Sequence, residues 1–147
     1  MPAGDAPVVV DTNIIFSALL RLESRILHSL LTSGRRLLIC ETILVELFRH
    51  QDRIRRHSTV GDDHFGKLLH DILRRIEIYK EDLIPDEYVA RAMDLCVEID
   101  PADAIVVALT LAADGLLWTG DRKLRRGLEI RGFDRFYDPP HSQTEAE

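Results

Sequence analysis

Three short apolar runs recur along this chain, separated by longer segments whose apolar residues return at helical spacing. They are Val8–Val10, Leu37–Cys40 and Leu116–Trp118, and a fourth strand is predicted at 77–79. Continuous apolar runs of this length are typical of strands that are buried on both faces. Their alternation with helices indicates a mostly parallel sheet. We therefore predict an α/β fold, a three-layer sandwich whose central, mostly parallel sheet is flanked by helices.

Helix boundaries are predicted from capping residues and apolar spacing. Asp11-Thr12-Asn13 offers N-cap chemistry for a helix that carries apolar residues as far as Leu22. Asp100 caps a helix whose first turn holds Pro101, since proline is well tolerated there. The predicted helices span about 12–22, 23–31 (ending near Gly34), 42–47, 64–75, 85–97, 101–113 and 123–128, and a last edge strand is predicted at 133–137.

Length and composition indicate one globular domain, 1–147, with flexible ends at 1–7 and 139–147. The hydrophobic content of 46% and charged content of 30% are ordinary for a globular protein. The longest mostly apolar stretch, 104–113, is too short to span a bilayer, and 1–7 lacks the pattern of a secretory signal. Cys40 and Cys96 are isolated in apolar settings, which favours buried free thiols over a disulfide or redox role. We therefore expect a cytoplasmic protein without a membrane segment.

The formal net charge of −6 argues against wholesale nonspecific affinity for nucleic acid. Arginines nevertheless cluster, and most such clusters form the solvated face of a helix. One cluster directly follows Asp121, where a basic helix beginning beside an acidic site is well placed to hold a phosphate backbone. The candidate nucleic-acid contacts are Arg122, Lys123, Arg53, Arg55 and Arg56; the remaining clustered residues are Arg74, Arg75, Arg125 and Arg126.

Four acidic residues stand where a predicted strand gives way to a turn or a helix: Asp11, Glu46, Asp103 and Asp121. Chain segments that leave the carboxyl ends of parallel strands converge on one crevice. Carboxylates gathered there would repel one another by roughly 4 kcal/mol per close pair at an effective dielectric near 20. A hard divalent cation removes that cost, and magnesium and manganese prefer carboxylate oxygens. The pattern indicates a metal-dependent enzyme that acts on phosphates.

Each acid also has a simpler explanation. Asp11 and Asp100 are natural helix N-caps, and Glu46 could face solvent as most helical glutamates do. Asp103 lies near a helix start, where the helix dipole favours negative charge, but the helix that follows is so apolar that it must be buried. Asp100 therefore competes with Asp103 as the third acid, and Asp103 is favoured.

Taken together, these motifs resemble the PIN-domain family of nucleases, and most of all its prokaryotic branch of VapC-type toxins. The resemblance spans about residues 8–138. It rests on Val8-Val9-Val10-Asp11-Thr12-Asn13, a glutamate on the helix after the second strand, Asp100-Pro101-Ala102-Asp103-Ala104, and Trp118-Thr119-Gly120-Asp121-Arg122-Lys123-Leu124. No motif of the family is recognised from Gln51 to Ile84.

The resemblance implies an endoribonuclease that needs Mg²⁺ or Mn²⁺ and hydrolyses single-stranded or looped RNA to a 5′-phosphate and a 3′-hydroxyl. By position it implies that Asp11 and Asp103 bind the principal metal ion, with Asp121 contributing directly or through water. Glu46 would orient the attacking water or complete a second metal site, and Asn13 and Thr119 match supporting positions. The resemblance further implies an antitoxin protein as partner and a homodimer through the early helices.

Other phosphate-handling classes fit the sequence less well. A phosphatase of the haloacid dehalogenase type needs an aspartate where this chain has Asn13. A response-regulator receiver needs paired N-terminal acids and a late lysine without clear counterparts, and no glycine-rich nucleotide loop follows the first strand. The six histidines do not cluster and receive no catalytic role. The alternative from another class is a catalytically silent PIN-fold module that binds RNA or acts as a scaffold.

Overall fold

The computed structural model describes residues 6–22 and 24–140, and the remaining residues lie outside this description. Its sheet has four strands in the order β3-β2-β1-β4, and all neighbouring pairs are parallel. The central strands β1 and β2 bury every side chain, as their uninterrupted apolar sequence predicts. The strands are β1 (Val8–Val10), β2 (Leu37–Cys40), β3 (Ile76–Tyr79) and β4 (Leu116–Trp118).

Eight α-helices in the described part of the chain cover this sheet. Two short 3₁₀ turns, Glu81–Leu83 and Pro101–Asp103, precede α6 and α7 respectively. The helices are α1 (Thr12–Ala18), α2 (Arg25–Thr32), α3 (Glu41–Arg49), α4 (Gln51–His57), α5 (Asp62–Arg74), α6 (Asp86–Cys96), α7 (Ala104–Ala112) and α8 (Arg122–Ile130).

The helices form two groups, and together with the sheet they make the predicted three-layer α/β sandwich. Helix α7 lies against β1, β2 and β4 and packs along α6, which also contacts α8. Helices α1, α2, α3 and α5 contact one another in the other group. Helix α7 buries six of its residues because its sequence is almost uniformly apolar. This confirms the predicted fold class.

The first helix is shorter than predicted and ends at Ala18 instead of Leu22. The chain between α4 and α5 accounts for the difference. Ser58 Oγ donates to the carbonyl of Leu19 at 2.6 Å, and the amide of Thr59 donates to the carbonyl of Leu20 at 2.8 Å. These bonds tie the backbone at Leu19 and Leu20 to the segment between α4 and α5, and the chain leaves the helical path before Leu22, which is 55% exposed.

The predicted edge strand at 133–137 is wrong. This segment makes a single parallel bridge, between Leu117 and Phe136. The amide of Phe136 donates to the carbonyl of Asp134 at 3.2 Å, and this local turn prevents a continuous ladder. The ring of Tyr137 instead packs edge-on against Trp118, with 5.2 Å between ring centroids.

Other boundaries differ by smaller amounts. The predicted helix at 101–113 divides into a 3₁₀ turn, Pro101–Asp103, followed by α7. Helix α2 begins at Arg25 after the N-cap Ser24, whose hydroxyl accepts from the amide of Leu27 at 3.0 Å. Ser24, inside the helix predicted at 23–31, is therefore the N-cap and not a helical residue, and residue 23 lies outside the residues that the structure describes. Helix α4 was not predicted as a separate helix, and α8 extends further in both directions than 123–128.

Both cysteines are buried free thiols, as predicted. Burial raises the pKa of Cys40 to about 12 and that of Cys96 to about 11, so neither is ionised near neutral pH. None of the described helices is long and apolar enough to cross a membrane. Of the ends expected to be flexible, 1–5 and 141–147 lie outside the described residues. Pro7 does contact the fold, because its carbonyl accepts from the amide of Leu116 at 2.9 Å.

Two glycine substitutions should have opposite effects on stability. A Cβ on Gly115 would lie 2.6 Å from the carbonyl oxygen of Pro7, a backbone atom beside the sheet that cannot easily move. We expect Gly115→Ala to lower the free energy of unfolding by about 2 kcal/mol. Gly66→Ala, in helix α5 with nothing within 4 Å of the new atom, should raise it by about 0.5 kcal/mol. Urea denaturation checks both; equal stability of the two variants would contradict the close approach at Gly115.

Candidate functional site

The carboxyl edge of the sheet contains a crevice between β1 and β4. The chain leaves the central strand β1 toward β2 on one side, while β4 pairs on the other side, so the strand order reverses at this point. In open α/β sheets such a switch point is where ligands bind. Asp11 follows β1, and its amide donates to the carbonyl of Trp118 at the end of β4 at 2.9 Å. Asp121 follows three residues after Trp118.

Asp11 is buried and held by three donors. One carboxylate oxygen, Oδ1, accepts from the amide of Thr12 at 2.8 Å. The other, Oδ2, accepts from Thr119 Oγ1 at 2.8 Å and from Asn13 Nδ2 at 3.4 Å. Burial nevertheless outweighs these bonds and raises the pKa of Asp11 above its ordinary value, and the charges of Asp121 and Glu46 raise it further. The residue is thus oriented by its neighbours but electrostatically unfavourable as an isolated anion.

Asn13 and Thr119 connect the two strand ends. The amide of Gly120 donates to Asn13 Oδ1 at 2.9 Å, and the amide of Asp121 donates to Thr119 Oγ1 at 3.1 Å. The Thr119 hydroxyl therefore accepts from the backbone at Asp121 while it donates to Asp11. These contacts connect the backbone beside one acid to the backbone beside the other.

Glu46 and Asp121 approach Asp11 from different elements. Glu46 lies on α3, and its Oε2 accepts from Thr12 Oγ1 at 3.1 Å. Thr12 was not singled out from the sequence; its position next to Asp11 is the signal that would have found it. Asp121 caps α8, because its Oδ1 accepts from the amide of Leu124 at 3.0 Å. Asp121 Oδ1 is therefore engaged in capping α8, whereas its Oδ2 accepts no bond from the amides of this helix.

Asp100 and Asp103 are distinguished by their hydrogen bonds. Asp100 Oδ1 accepts from the amide of Ala102 at 3.0 Å and caps the 3₁₀ turn, which is the simpler of its two predicted roles. Asp103 precedes α7 and makes no side-chain cap bond. Burial, followed by the charges of Asp11, Asp100, Asp121 and Glu46 in that order, raises the pKa of Asp103 to about 6. The five acids therefore share one electrostatic neighbourhood.

The chemistry of this donor set fits a hard divalent cation. All of the nearby ligating groups are carboxylate oxygens, all of them except Asp100 are at least partly buried, and burial together with mutual repulsion raises the pKa values of Asp11 and Asp103. As they stand, however, no three or more His, Cys, Asp or Glu side chains in residues 6–22 and 24–140 are grouped closely enough to hold an ion. Binding would therefore require side-chain rotation at the less constrained acids, Glu46 and Asp103.

The structure separates the predicted basic contacts into two places. Arg122 and Lys123 line a cavity of about 350 Å³ along α8 that includes Arg126 on its rim and Ile99 against Gly127 at its floor. This cavity begins next to Asp121 and Asp100. Arg126 was not selected from the sequence, although its spacing of four residues from Arg122 places both on one helix face.

The second group lies on α4, where Arg53 and Arg56 are exposed. Arg55 stacks on the ring of Phe65, with its guanidinium carbon 4.8 Å from the ring centroid, so it is partly engaged in packing. Arg125, next to the first group in sequence, forms an ion pair with Asp138 at 2.7 Å and belongs to the structural scaffold.

Comparison with known proteins identifies the family. The chain belongs to the PIN-domain family, whose model matches residues 9–138. No curated protein sequence matches it significantly. Its structure is similar to a chain in the crystal structure of VapBC2 from Rickettsia felis bound to a DNA fragment from their promoter, with a TM-score of 0.62 and 18% identity. That match covers 81% of this chain and 91% of the other, and it shows that the two share a fold.

The raised pKa of Asp103 predicts how stability depends on pH. The folded protein holds this proton up to about pH 6, whereas the unfolded chain releases it near the ordinary value of 3.8. The folded state therefore binds more protons between these values, and its stability falls as the pH rises through this window. Asp103→Asn removes the penalty, so in EDTA at pH 7.5 it should be more stable than the wild type by about 1 kcal/mol, allowing for solvent screening.

This difference should shrink as the pH falls and approach zero near pH 3, below the ordinary pKa of 3.8, where the wild-type carboxyl is mostly protonated in both states. Urea denaturation at several pH values measures it. Asp134→Asn, an exposed aspartate away from the crevice, serves as the control and should match the wild type throughout. A stability difference for Asp103→Asn that does not change with pH would contradict the electrostatic explanation.

Proposed function

We propose that this protein is a metal-dependent endoribonuclease that hydrolyses phosphodiester bonds of single-stranded or looped RNA. The observation that carries the proposal is the group of mutually repelling, partly buried carboxylates at the carboxyl edge of β1 and β4. Acids in such an environment are destabilising unless a cation or a substrate uses them, and perturbed pKa values of this kind cluster at functional sites. Membership of the PIN-domain family supports the same reading.

We assign each acid a role in metal binding or catalysis from its contacts. Asp11 and Asp103 would hold Mg²⁺ or Mn²⁺, and Asp121 would contribute its second carboxylate oxygen directly or through water. Bound there, the cation would supply a water of lowered pKa and neutralise charge on the scissile phosphate. Thr119 and Thr12 keep Asp11 in place. Glu46, held only by the Thr12 hydroxyl among the described contacts, orients the attacking water or completes a second metal site.

The cavity along α8 holds the RNA backbone beside these acids. Arg122, Lys123 and Arg126 offer three cations on one side, and Ile99 offers an apolar surface for a base. Contacts of this kind with phosphates and bases bind single strands without strong sequence preference. The overall charge of −6 limits binding elsewhere and favours a local site.

The biological setting we propose is the toxin of a toxin–antitoxin pair in the cytoplasm. The similarity in fold to a chain of the VapBC2 complex supports an antitoxin protein as partner. A homodimer through the early helices is part of the same proposal. Leu22 after α1 and Val45 and Phe48 on α3 are large apolar side chains exposed in that region, at 55%, 53% and 55%.

Cleavage of end-labelled single-stranded RNA with manganese tests the activity. We expect cleavage by the wild type that EDTA abolishes and that Asp103→Asn reduces by about 100-fold or more, because the variant loses a metal ligand. Asp134→Asn should cleave like the wild type. Equal cleavage by Asp103→Asn would show a contaminating nuclease or a misassigned acid, and Asp100→Asn would then be compared.

Metal-dependent melting separates the enzyme from a silent RNA-binding module that keeps the fold. Manganese should raise the melting temperature of the wild type, because it binds the folded state alone, and should raise that of Asp103→Asn much less. Stabilisation by manganese without hydrolysis of any RNA would favour the module. The absence of both effects would exclude a metal site at these acids.

The two basic surfaces are distinguished by paired substitutions. We expect Arg122→Ala with Lys123→Ala to raise the KM for single-stranded RNA about tenfold, because two phosphate contacts beside the acids are lost, and to flatten its salt dependence. Arg53→Ala with Arg56→Ala removes the same charge from α4 and should have a smaller effect. Steady-state kinetics at two salt concentrations measure both, and the reverse order would place the RNA along α4.

A further inference from the structure

A second charged cavity lies at the opposite edge of the sheet, where β2 and β3 begin. It has a volume of about 380 Å³ and is independent of the carboxylate crevice. The strands place the two edges about 10 Å apart, since each residue of a strand advances about 3.3 Å. The charged residues that line it are Arg35, Arg36, Arg74, Arg75 and Glu77.

The charge of this cavity is opposite to that of the chain as a whole. Its lining residues include four arginines and one glutamate, in a protein whose acidic residues outnumber its lysines and arginines by 25 to 19. Arginines do not deprotonate, so their mutual repulsion cannot be relieved by losing a proton. An anion that enters the cavity relieves it.

Two of the arginines, Arg36 and Arg75, are oriented by the fold and have further donors. Arg36 makes a forked pair with Glu77, with Nε and Nη2 at 2.7 and 3.2 Å from its two oxygens. Arg75 Nε donates to the carbonyl of Leu31 at 3.3 Å. Each guanidinium carries five N–H groups, so these contacts orient the two side chains without using all of their donors. Arg35 is committed to the fold, because its Nη2 donates to the carbonyl of Ala6 at 2.8 Å and its guanidinium lies over the ring of Tyr137.

We propose that this arginine cavity binds phosphate groups. The planar fork of arginine matches phosphate oxygens in bidentate pairs, and several arginines around one cavity can share a single phosphate or a short phosphate chain. The phosphate can belong to an RNA backbone or to a small phosphorylated ligand. The site does not depend on the nuclease proposal, because none of its residues belongs to the carboxylate crevice or to the cavity along α8.

Glu77 limits the affinity in this arrangement. It neutralises Arg36 and lowers the positive charge that an entering phosphate meets. The pKa of Glu77 lies below its ordinary value because of its hydrogen bonds to Arg36, so the pair is ionised near neutral pH. Removal of this one carboxylate should strengthen phosphate binding, whereas removal of arginines should weaken it.

Isothermal titration calorimetry of the full chain in EDTA tests the proposal with two probes, pyrophosphate and a single-stranded RNA oligonucleotide. EDTA prevents divalent cations from bringing phosphate to the carboxylates. We expect Arg36→Gln with Arg74→Gln to raise the Kd of pyrophosphate about tenfold, and Glu77→Gln to lower it about threefold. Lys67→Ala removes an exposed cation of α5 that does not line the cavity, and should leave the Kd unchanged.

The two probes identify the source of the phosphate. A parallel loss of RNA affinity in the double variant indicates the nucleic-acid backbone, and loss confined to pyrophosphate indicates a small phosphorylated ligand; either result supports the cavity. Binding of neither probe, or equal binding by wild type and double variant, would overturn it. The gain expected for Glu77→Gln cannot result from misfolding. RNA cleavage by the same variants is measured separately, so the failure of one proposal is distinguishable from the failure of the other.

Discussion

The site depends on how one buried carboxylate, Asp11, is held at the junction of β1 and β4. The hydroxyl of Thr119 and the amide of Thr12 each donate to it at 2.8 Å. These bonds join the end of β4 to the start of α1, the helix that follows β1. The desolvation cost of burying this charge exceeds the stabilisation that the hydrogen bonds give to the ionised form, so the pKa of Asp11 stays raised. The charges of Asp121 and Glu46, which belong to two further elements of the fold, raise it further.

Much of this arrangement could be predicted from the sequence, because the strands are uniformly apolar and each is followed by an acid. A run of β-branched residues such as Val8–Val10 favours a buried strand, and parallel order then fixes the edge where the next residue lies. The same reasoning located Asn13 and Thr119. It also favoured Asp103 over Asp100, and the hydrogen bonds now give Asp100 a capping role while the pKa of Asp103 rises to about 6.

Long-range contacts explain what could not be predicted. Local spacing continued the first helix to Leu22, but Ser58 and Thr59, nearly forty residues away, take up the carbonyls of Leu19 and Leu20. An edge strand was predicted at 133–137, whereas ring packing of Tyr137 on Trp118 and a local turn decide the path of this segment. The arginine cavity also combines residues from two segments nearly forty positions apart, 34–37 and 74–77, which no single stretch of sequence reveals.

The parallel strands have a consequence for how the molecule meets charged species in solution. The carboxylates at one edge of the sheet and the arginine cavity at the other form a local pair of opposite charges along the strand direction, even though the net charge of the protein is negative. Within about the Debye length, roughly 8 Å at physiological ionic strength, the field of an approaching polyanion attracts the arginine edge and repels the carboxylates, which favours the orientation with the arginine edge toward it. The first encounter is then made by a surface that lies on the far side from the acids.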